Sequence, residues 1–436
     1  MSLIHRGLTL SFKVEENHLE QVNELLEAFN RQQPSKESLP DTFFISWLGV
    51  PPQVYAEKEK LPARILLMSS YVGSKRKHLQ VLVEAIGEEL RQVLAFTVGF
   101  PKEQITNKSL VRFLAKSSKF NTYYSGFKFI SPKEVIPEKN LREWVYGWVE
   151  KQLQDPNFGT STPQEIKDRI ENAVEKDPNY NWAMKKPKGL GRSKWAMLSA
   201  LGLFGLLMVL SLFIALVSIW WNLGSWVLLA WLFPFFIVSI FLLLVLLRKE
   251  ENIEPPPIQV INDKDYLEIV SREKNKVVNE MTVIAPLKPG KFRRVFLAVS
   301  LRLVAMIRYF TYIPTVHTAR WLQLDGGKRL VFIATFDNQS EAYAHDFVDS
   351  EQRSRNLAVI FSHVMGFPKT TWLIKRGENY RKDYMKGVRS FQFKTRFWYA
   401  FNTDLSVENL KNNRAFRLGL HKKMKEHEIR RWLLRL

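Results

Sequence analysis

Residues 41–50, DTFFISWLGV, and 63–72, ARILLMSSYV, decide how this chain is read, because a like pair returns in the second half as 316–324, VHTARWLQL, and 329–336, RLVFIATF. All four segments are short, rich in β-branched and aromatic side chains, and bounded by Pro, Gly or charged residues, as strands are. Asp325-Gly326-Gly327 between the last two is a hairpin signal. The surroundings repeat as well. Leu39-Pro40 is answered by Ile313-Pro314, Val98-Gly99-Phe100-Pro101-Lys102 by Met365-Gly366-Phe367-Pro368-Lys369, and Tyr124-Ser125-Gly126-Phe127 by Trp398-Tyr399-Ala400-Phe401. Order and spacing agree throughout, and the period is far too long for a solenoid, so the two halves read as a domain duplication.

Working outward, 8–15 (LTLSFKVE) is a strand, 18–32 (HLEQVNELLEAFNRQ) an amphipathic helix, 77–96 (KHLQVLVEAIGEELRQVLAF) a long helix and 122–130 (TYYSGFKFI) a closing strand. The second half follows with 279–287 (NEMTVIAPL), 291–310, the strand pair, 341–364 and 396–403 (RFWYAFNT). Each lobe therefore takes the order β-α-β-β-α-β, the ferredoxin-like plan of the α+β class, over 1–150 and 276–420. Two such lobes are expected to pair face to face as a dimeric α/β barrel, here within one chain.

Between the lobes, 195–221 and 226–247 are uncharged apolar runs separated by Asn222-Leu223-Gly224-Ser225. Each exceeds the roughly 20 residues that cross about 30 Å of hydrocarbon, so the spacing predicts a transmembrane hairpin. Trp195, Trp220, Trp221 and Trp226 lie at the run ends, and Lys185, Lys186, Lys188, Arg192, Lys194, Arg248 and Lys249 flank them. The positive-inside rule then predicts an integral membrane protein with both termini cytoplasmic, in a bacterial inner membrane or an equivalent internal one. Residues 151–194 form a helical, basic linker opened by a capping box at Thr162 and Glu165. Residues 248–275 form a linker stiffened by Pro255-Pro256-Pro257, and 421–436 a basic amphipathic C-terminal helix.

The chain of 436 residues carries 64 Lys and Arg against 43 Asp and Glu, a formal charge of +21. No nucleic-acid signature accompanies that charge, so nucleic acid is not expected as a partner. The expected partners are the bilayer, with anionic lipid at the cytoplasmic face, and a second copy or another membrane protein. The absence of Cys excludes disulfides, thiol catalysis and Cys-ligated metal. Walker A, dinucleotide-binding, HExxH, GxSxG and kinase motifs are missing from the sequence, which removes the commonest nucleotide and hydrolase chemistries.

PTVHTARWLQLD, RLVFIATFDNQSEAYAHDFVD, FSHVMGFP and FWYAFNTDLSVENLKNNRAFR together resemble a bacterial family of dimeric α/β-barrel proteins, sometimes labelled peroxidase-like. The resemblance covers most of 280–420, and it implies the fold and a range of chemistries that includes haem enzymes. Its motifs centre on His317, Arg320, Trp321, Asp337, His363, Gly366, Pro368, Asn413 and Arg414. Strand alternation places His317, Ala319 and Trp321 on one face and Arg320 on the other. An imidazole facing the barrel lumen serves haem ligation or proton transfer, and a His hydrogen-bonded in the core is the plainer alternative. Arg320 is a candidate anion fork or a partner of Asp337 or Asp325, and Trp321, His363, Tyr399 and Arg414 are candidate ligand contacts. Asp337, Asp346 and Asp349 read as a solvated set in preference to a metal site. The resulting expectation is a membrane-tethered pair of lobes that binds or scaffolds. Its rivals are a haem-dependent peroxidase-like oxidoreductase using His317 with Arg320 or Asp337, and a carrier of lipid or another apolar ligand between the lobes.

Overall fold

The computed structural model describes residues 4–56, 59–101, 105–185, 232–251, 263–273, 276–307, 313–339, 359–367, 370–372 and 387–436, with isolated helical positions between 202 and 213. Two antiparallel sheets organise it. In the first lobe β1 (His5–Lys13), β2 (Thr42–Val50) and β5 (Arg64–Val72) lie in the order β1-β5-β2, with a small hairpin of β3 (Gln53–Tyr55) and β4 (Glu59–Leu61) inserted between β2 and β5. In the second, β7 (Val278–Pro286), β8 (Val316–Leu324) and β9 (Arg329–Asp337) lie in the order β7-β9-β8, and β10 (Gln392–Phe393) borders β7.

The closing strands are exchanged. β6 (Thr122–Ser125), which ends lobe 1, pairs with β8 of lobe 2, and β11 (Phe397–Ala400), which ends lobe 2, pairs with β2 of lobe 1. This corrects the expected self-contained ferredoxin-like units, because neither lobe completes its own sheet. The exchange also shifts the repeat alignment by one residue. Tyr124 lies opposite Ala319 and Tyr399 opposite Ile45, so Tyr124 corresponds to Tyr399 and not to Trp398.

Period-two alternation sends each strand's apolar residues to two cores. Outward-facing Leu8, Leu10, Ile45, Trp47, Ile65 and Leu67 pack with α1 (Leu19–Arg31), α2 (Lys75–Leu94) and α3 (Asn107–Lys116). Outward-facing Met281, Val283, Ala319, Phe332 and Ala334 pack with Leu297 and Leu301 of the helix Lys291–Ile307. The inner faces meet each other, Leu48, Val50, Leu66 and Met68 against Ile284, Leu322, Leu324, Val331 and Ile333. Burial on both faces explains why β2 and β5 read as near-continuous apolar runs in place of polar–apolar alternation.

Remaining helices form a module at one end: α4 (Pro132–Gln152), the single turn α5 (Pro156–Gly159), α6 (Pro163–Lys176) and, after the segments described below, the helices Val407–Gly419 and Glu426–Leu433. The capping box expected at Thr162 and Glu165 is present, each residue's side chain accepting from the other's backbone amide. Ile429 and Trp432 of the C-terminal helix are buried here with Leu141, Val145, Ile170 and Phe416, and Trp432 stacks on Phe416. Its apolar face is therefore covered by protein.

The expected transmembrane hairpin is corrected: among the described residues no helix is long and apolar enough to cross a membrane. The helix α7 (Leu232–Glu251) is apolar only to Leu247 and ends in Arg248, Lys249, Glu250 and Glu251. Its end is also committed to the protein, since Leu247 and Glu251 are buried. Residues 195–201 and 214–231, which include the loop and most of the first apolar run, lie outside the described residues. The membrane assignment, the cytoplasmic orientation and the inner-membrane localisation all rested on that hairpin and are withdrawn with it. The later helices are α8 (Asp263–Glu273), α9 (Lys291–Ile307), α10 (Val407–Gly419) and α11 (Glu426–Leu433).

Two measurements test this architecture. A Cβ on Gly126 would lie 2.0 Å from the Val316 carbonyl oxygen, where lobe 1's exchanged strand meets β8. Gly126→Ala is expected to cost about 1–3 kcal/mol by overpacking, whereas Gly147→Ala, with nothing within 4 Å, gains about 0.5–1 kcal/mol; urea unfolding of both reads the contrast. Burial also holds His5 down to about 4, and His78 and His363 to about 3. The native state keeps these imidazoles neutral while the unfolded chain protonates them below pH 6.5. Their stabilisation is thus complete above that pH and lost as pH falls toward the folded values, at about 1.4 kcal/mol per pH unit for each proton. Glu280, discussed below, opposes with one proton bound by the native state. Stability measured by urea titration is expected to fall from pH 6.5 to 4.5, and a flat profile would contradict the burial of these rings.

Candidate functional site

Polar side chains gather where the inner faces meet, and the strand register says which ones. Across the second sheet Glu280 lies opposite Thr335, Thr335 opposite Thr318 and Thr318 opposite Ser125. In the adjacent row Thr282 lies opposite Ile333, Ile333 opposite Arg320 and Arg320 opposite Tyr123. A polar seam is thereby threaded between two apolar layers.

Arg320 is its strongest member. The side chain is 3% exposed; Nη1 donates to the Leu8 carbonyl at 2.6 Å and Nη2 to Ser70 Oγ at 2.7 Å, both on the opposing sheet. The guanidinium also lies 5.6 Å from the centroid of the Tyr123 ring. Burial holds its pKa down to about 10, so the group remains a cation at neutral pH. It pairs with neither Asp337 nor Asp325. Asp325 is held by Arg64, and Asp337 by His317.

His317 does not follow simple alternation. The register shifts between Val316 and Thr318, a bulge that inserts His317 as an extra residue and turns its ring to Asp337. Nε2 lies 2.7 Å from Asp337 Oδ1, and Asp337 Oδ2 accepts from Val407 N at 3.0 Å at the start of α10. Ring centroids of Phe44 and Phe127 stand 5.9 and 5.7 Å from the imidazole, which is 2% exposed. The bulge recurs between Thr42 and Phe44, placing Phe43 where lobe 2 has His317. This arrangement does not fit haem, because Asp337 occupies the nitrogen an iron would take and phenyl rings enclose the rest. The pair ties β8, β9 and α10 together. Asp337→Ala strands both partners in the core and is expected to lower unfolding free energy by about 3 kcal/mol in urea melts.

The other candidates are dispersed. Trp321 stacks on Phe332 in the outer core of lobe 2, and Tyr399 lies in the outer core of lobe 1, where burial pushes its hydroxyl up to about 12. His363 is buried beside α9, on the far side of the second sheet. Arg414 joins Arg417 in clamping Glu134 and Glu138, a four-charge link between α4 and α10. Asp346 and Asp349 lie outside the described residues, and among those described no group of His, Asp and Glu is arranged to hold a metal.

What sequence reasoning missed is Glu280. From the seam it reaches a cavity of about 410 Å³ between the lobes, lined also by Asn30 and Gln33 of lobe 1 and by Lys276, Thr395 and Trp398 of lobe 2. Thr395 Oγ1 donates to its Oε2 at 2.7 Å and Thr282 Oγ1 to its Oε1. Burial outweighs these bonds and pushes the carboxyl up to about 7. Lys276 Nζ lies 5.7 Å from the centroid of the Trp398 ring. Asn279 holds the approach in place by donating to the carbonyls of Glu273, Lys276 and Asn338. The available signal was an acidic residue at an inward position of the apolar strand 279–287. No protein-family model matches the chain, and no curated protein matches it either.

Proposed function

We propose that this protein binds a small organic anion in the cavity between its lobes, with Glu280 as the group that couples binding to pH. One observation carries the reading: a carboxyl raised to about 7 forms the wall of a polar cavity of about 410 Å³. A perturbed acid in a cleft is a candidate functional group, because binding and catalytic sites are where burial and neighbouring charges are arranged to shift a pKa. Below pH 7 the protonated Glu280 is a hydrogen-bond donor, a state in which an anion is welcome beside it. The Asn30 side-chain amide adds a donor, while the Gln33 amide already donates to Asn30 and to the Trp398 carbonyl, and the exposed Lys276 adds a cation to the lining. Above pH 7 the carboxylate repels the same ligand.

Calorimetric titration with lactate, oxalate and tartrate, each fully ionised at both values, at pH 6 and pH 8 tests this. Binding is expected to weaken at least about tenfold at the higher pH, the equivalent of one 1.4 kcal/mol step. Glu280→Gln retains a donor without the charge, so it should bind equally at both pH values, and Lys276→Ala should weaken binding at each. Equal pH dependence in the wild type and Glu280→Gln would dismiss the proposal, as would an absence of binding to the whole panel.

A further inference from the structure

A second concentration of unsatisfied polar groups lies on the outer side of lobe 2, where α9 begins. Arg293, in the first turn, is 3% exposed. Its Nη1 reaches the Ser362 carbonyl at 3.4 Å and its Nη2 donates to the backbone carbonyl of Glu250, yet Nε has no hydrogen-bond partner. His363 is 1% exposed and neither ring nitrogen is hydrogen-bonded; Ser362, 2% exposed, has an unbonded hydroxyl. Burial first, and then the charges of Arg293 and Lys288, hold the His363 imidazole down to about 3. The ring therefore shares its surroundings with two cations. Gly290, at φ +130°, leads into the helix, whose first amides have no partner within it.

The carboxylate of Glu250, from the end of α7, sits at this place. Its Oε2 would be 3.0 Å from a Cβ on Gly290 and lies 3.4 Å from Arg293 Nε, but accepts no hydrogen bond. The carboxylate thus faces Arg293 as an ion pair, while the His363 nitrogens and the Ser362 hydroxyl stay without a hydrogen-bond partner. Buried donors left open in this number call for an occupant, and a helix start with a buried guanidinium selects an anion.

We infer that Arg293, Ser362, His363 and the N-terminus of α9 form an oxyanion-binding site in which Glu250 is a loosely held internal occupant, displaced by a free tetrahedral oxyanion such as phosphate. The guanidinium comes from α9 and the hydroxyl and imidazole from the consecutive residues Ser362 and His363, so two segments supply donors for a tetrahedral group, whereas Glu250 presents a single carboxylate edge. Displacement also releases one of the attachments of α7 to the lobe. The other attachments, Arg293 Nη2 on the Glu250 backbone carbonyl and Glu251 accepting from Thr370 Oγ1 at 3.1 Å and from Trp372 N at 3.0 Å, stay in place.

The experiment titrates full-length protein with inorganic phosphate by calorimetry in a Lys276→Ala background, which weakens binding in the cavity between the lobes, and every variant is compared within that background so that residual binding there is common to all. Glu250→Gln, which keeps the shape and removes the charge, should bind phosphate about tenfold more tightly, because an internal competitor reduces apparent affinity by the fraction of site it occupies. Adding His363→Gln or Ser362→Ala to Glu250→Gln should reverse the gain. Arg293→Met should abolish binding, and if that variant does not fold the His363 and Ser362 variants decide. Histidine NMR supplies an independent reading, with phosphate expected to move the His363 ring resonances. Glu250→Gln binding no tighter than its parent would overturn the inference, as would binding untouched by the His363 and Ser362 changes.

Discussion

Edge pairing between the lobes is the constraint on which the rest of the structure depends. β6 and β11 are four residues each, too short to be stable alone, and each pairs its backbone with a strand of the other lobe's sheet. An exposed strand edge is a liability, and reciprocal exchange closes one edge of both sheets at once. It also fixes the relative position of the lobes, because β6 and β11 both emerge from one lobe and end in the other. The face-to-face packing of Leu48, Val50, Leu66 and Met68 on Ile284, Leu322 and Ile333 then follows. Gly126 stands where the exchange is tightest, its amide bonded to the His317 carbonyl at 2.9 Å.

Within that packed interface Arg320 is an expensive residue. A buried cation without a carboxylate in contact costs several kcal/mol unless its hydrogen bonds are well placed. Here it spans from one sheet to Leu8 and Ser70 on the other, which makes it a register pin between the lobes. Its field also favours ionisation of Glu280, and burial still outweighs that influence. The carboxyl is consequently held near neutrality, where modest changes in its surroundings alter its charge. A structural cation and a titrating acid share one polar seam, and only the acid meets the cavity.

The strands, the duplication, the Asp325 hairpin and the Thr162 cap were all legible, since each depends on nearest neighbours along the chain. The candidate site was legible only in part. His317 and Asp337 do meet, but the bulge that joins them breaks the alternation by which His317 was placed, and the same geometry closes the ring away behind Phe44 and Phe127. Trp321 and Tyr399 are aromatic core residues of opposite lobes, and Arg414 is a link in an ion network whose acids come from α4. Glu280 passed unnoticed because its importance comes from burial and from Thr395 and Arg320, residues far away in sequence.

The apolar run that ends at Leu247 shows the same limit from the other side: hydropathy reported its composition, while the docking of Leu247, Glu250 and Glu251 against lobe 2 reported where its end lies. By itself the sequence determined what local periodicity and turn chemistry can encode, namely two like lobes of alternating strands and helices, no thiol chemistry and a strongly basic surface. Tertiary structure decided which strand completes which sheet, which side chains are enclosed, and which acid faces a cavity. Those outcomes depend on pairings between residues hundreds of positions apart, and on the desolvation that such pairings impose, neither of which is written in any short stretch of the chain.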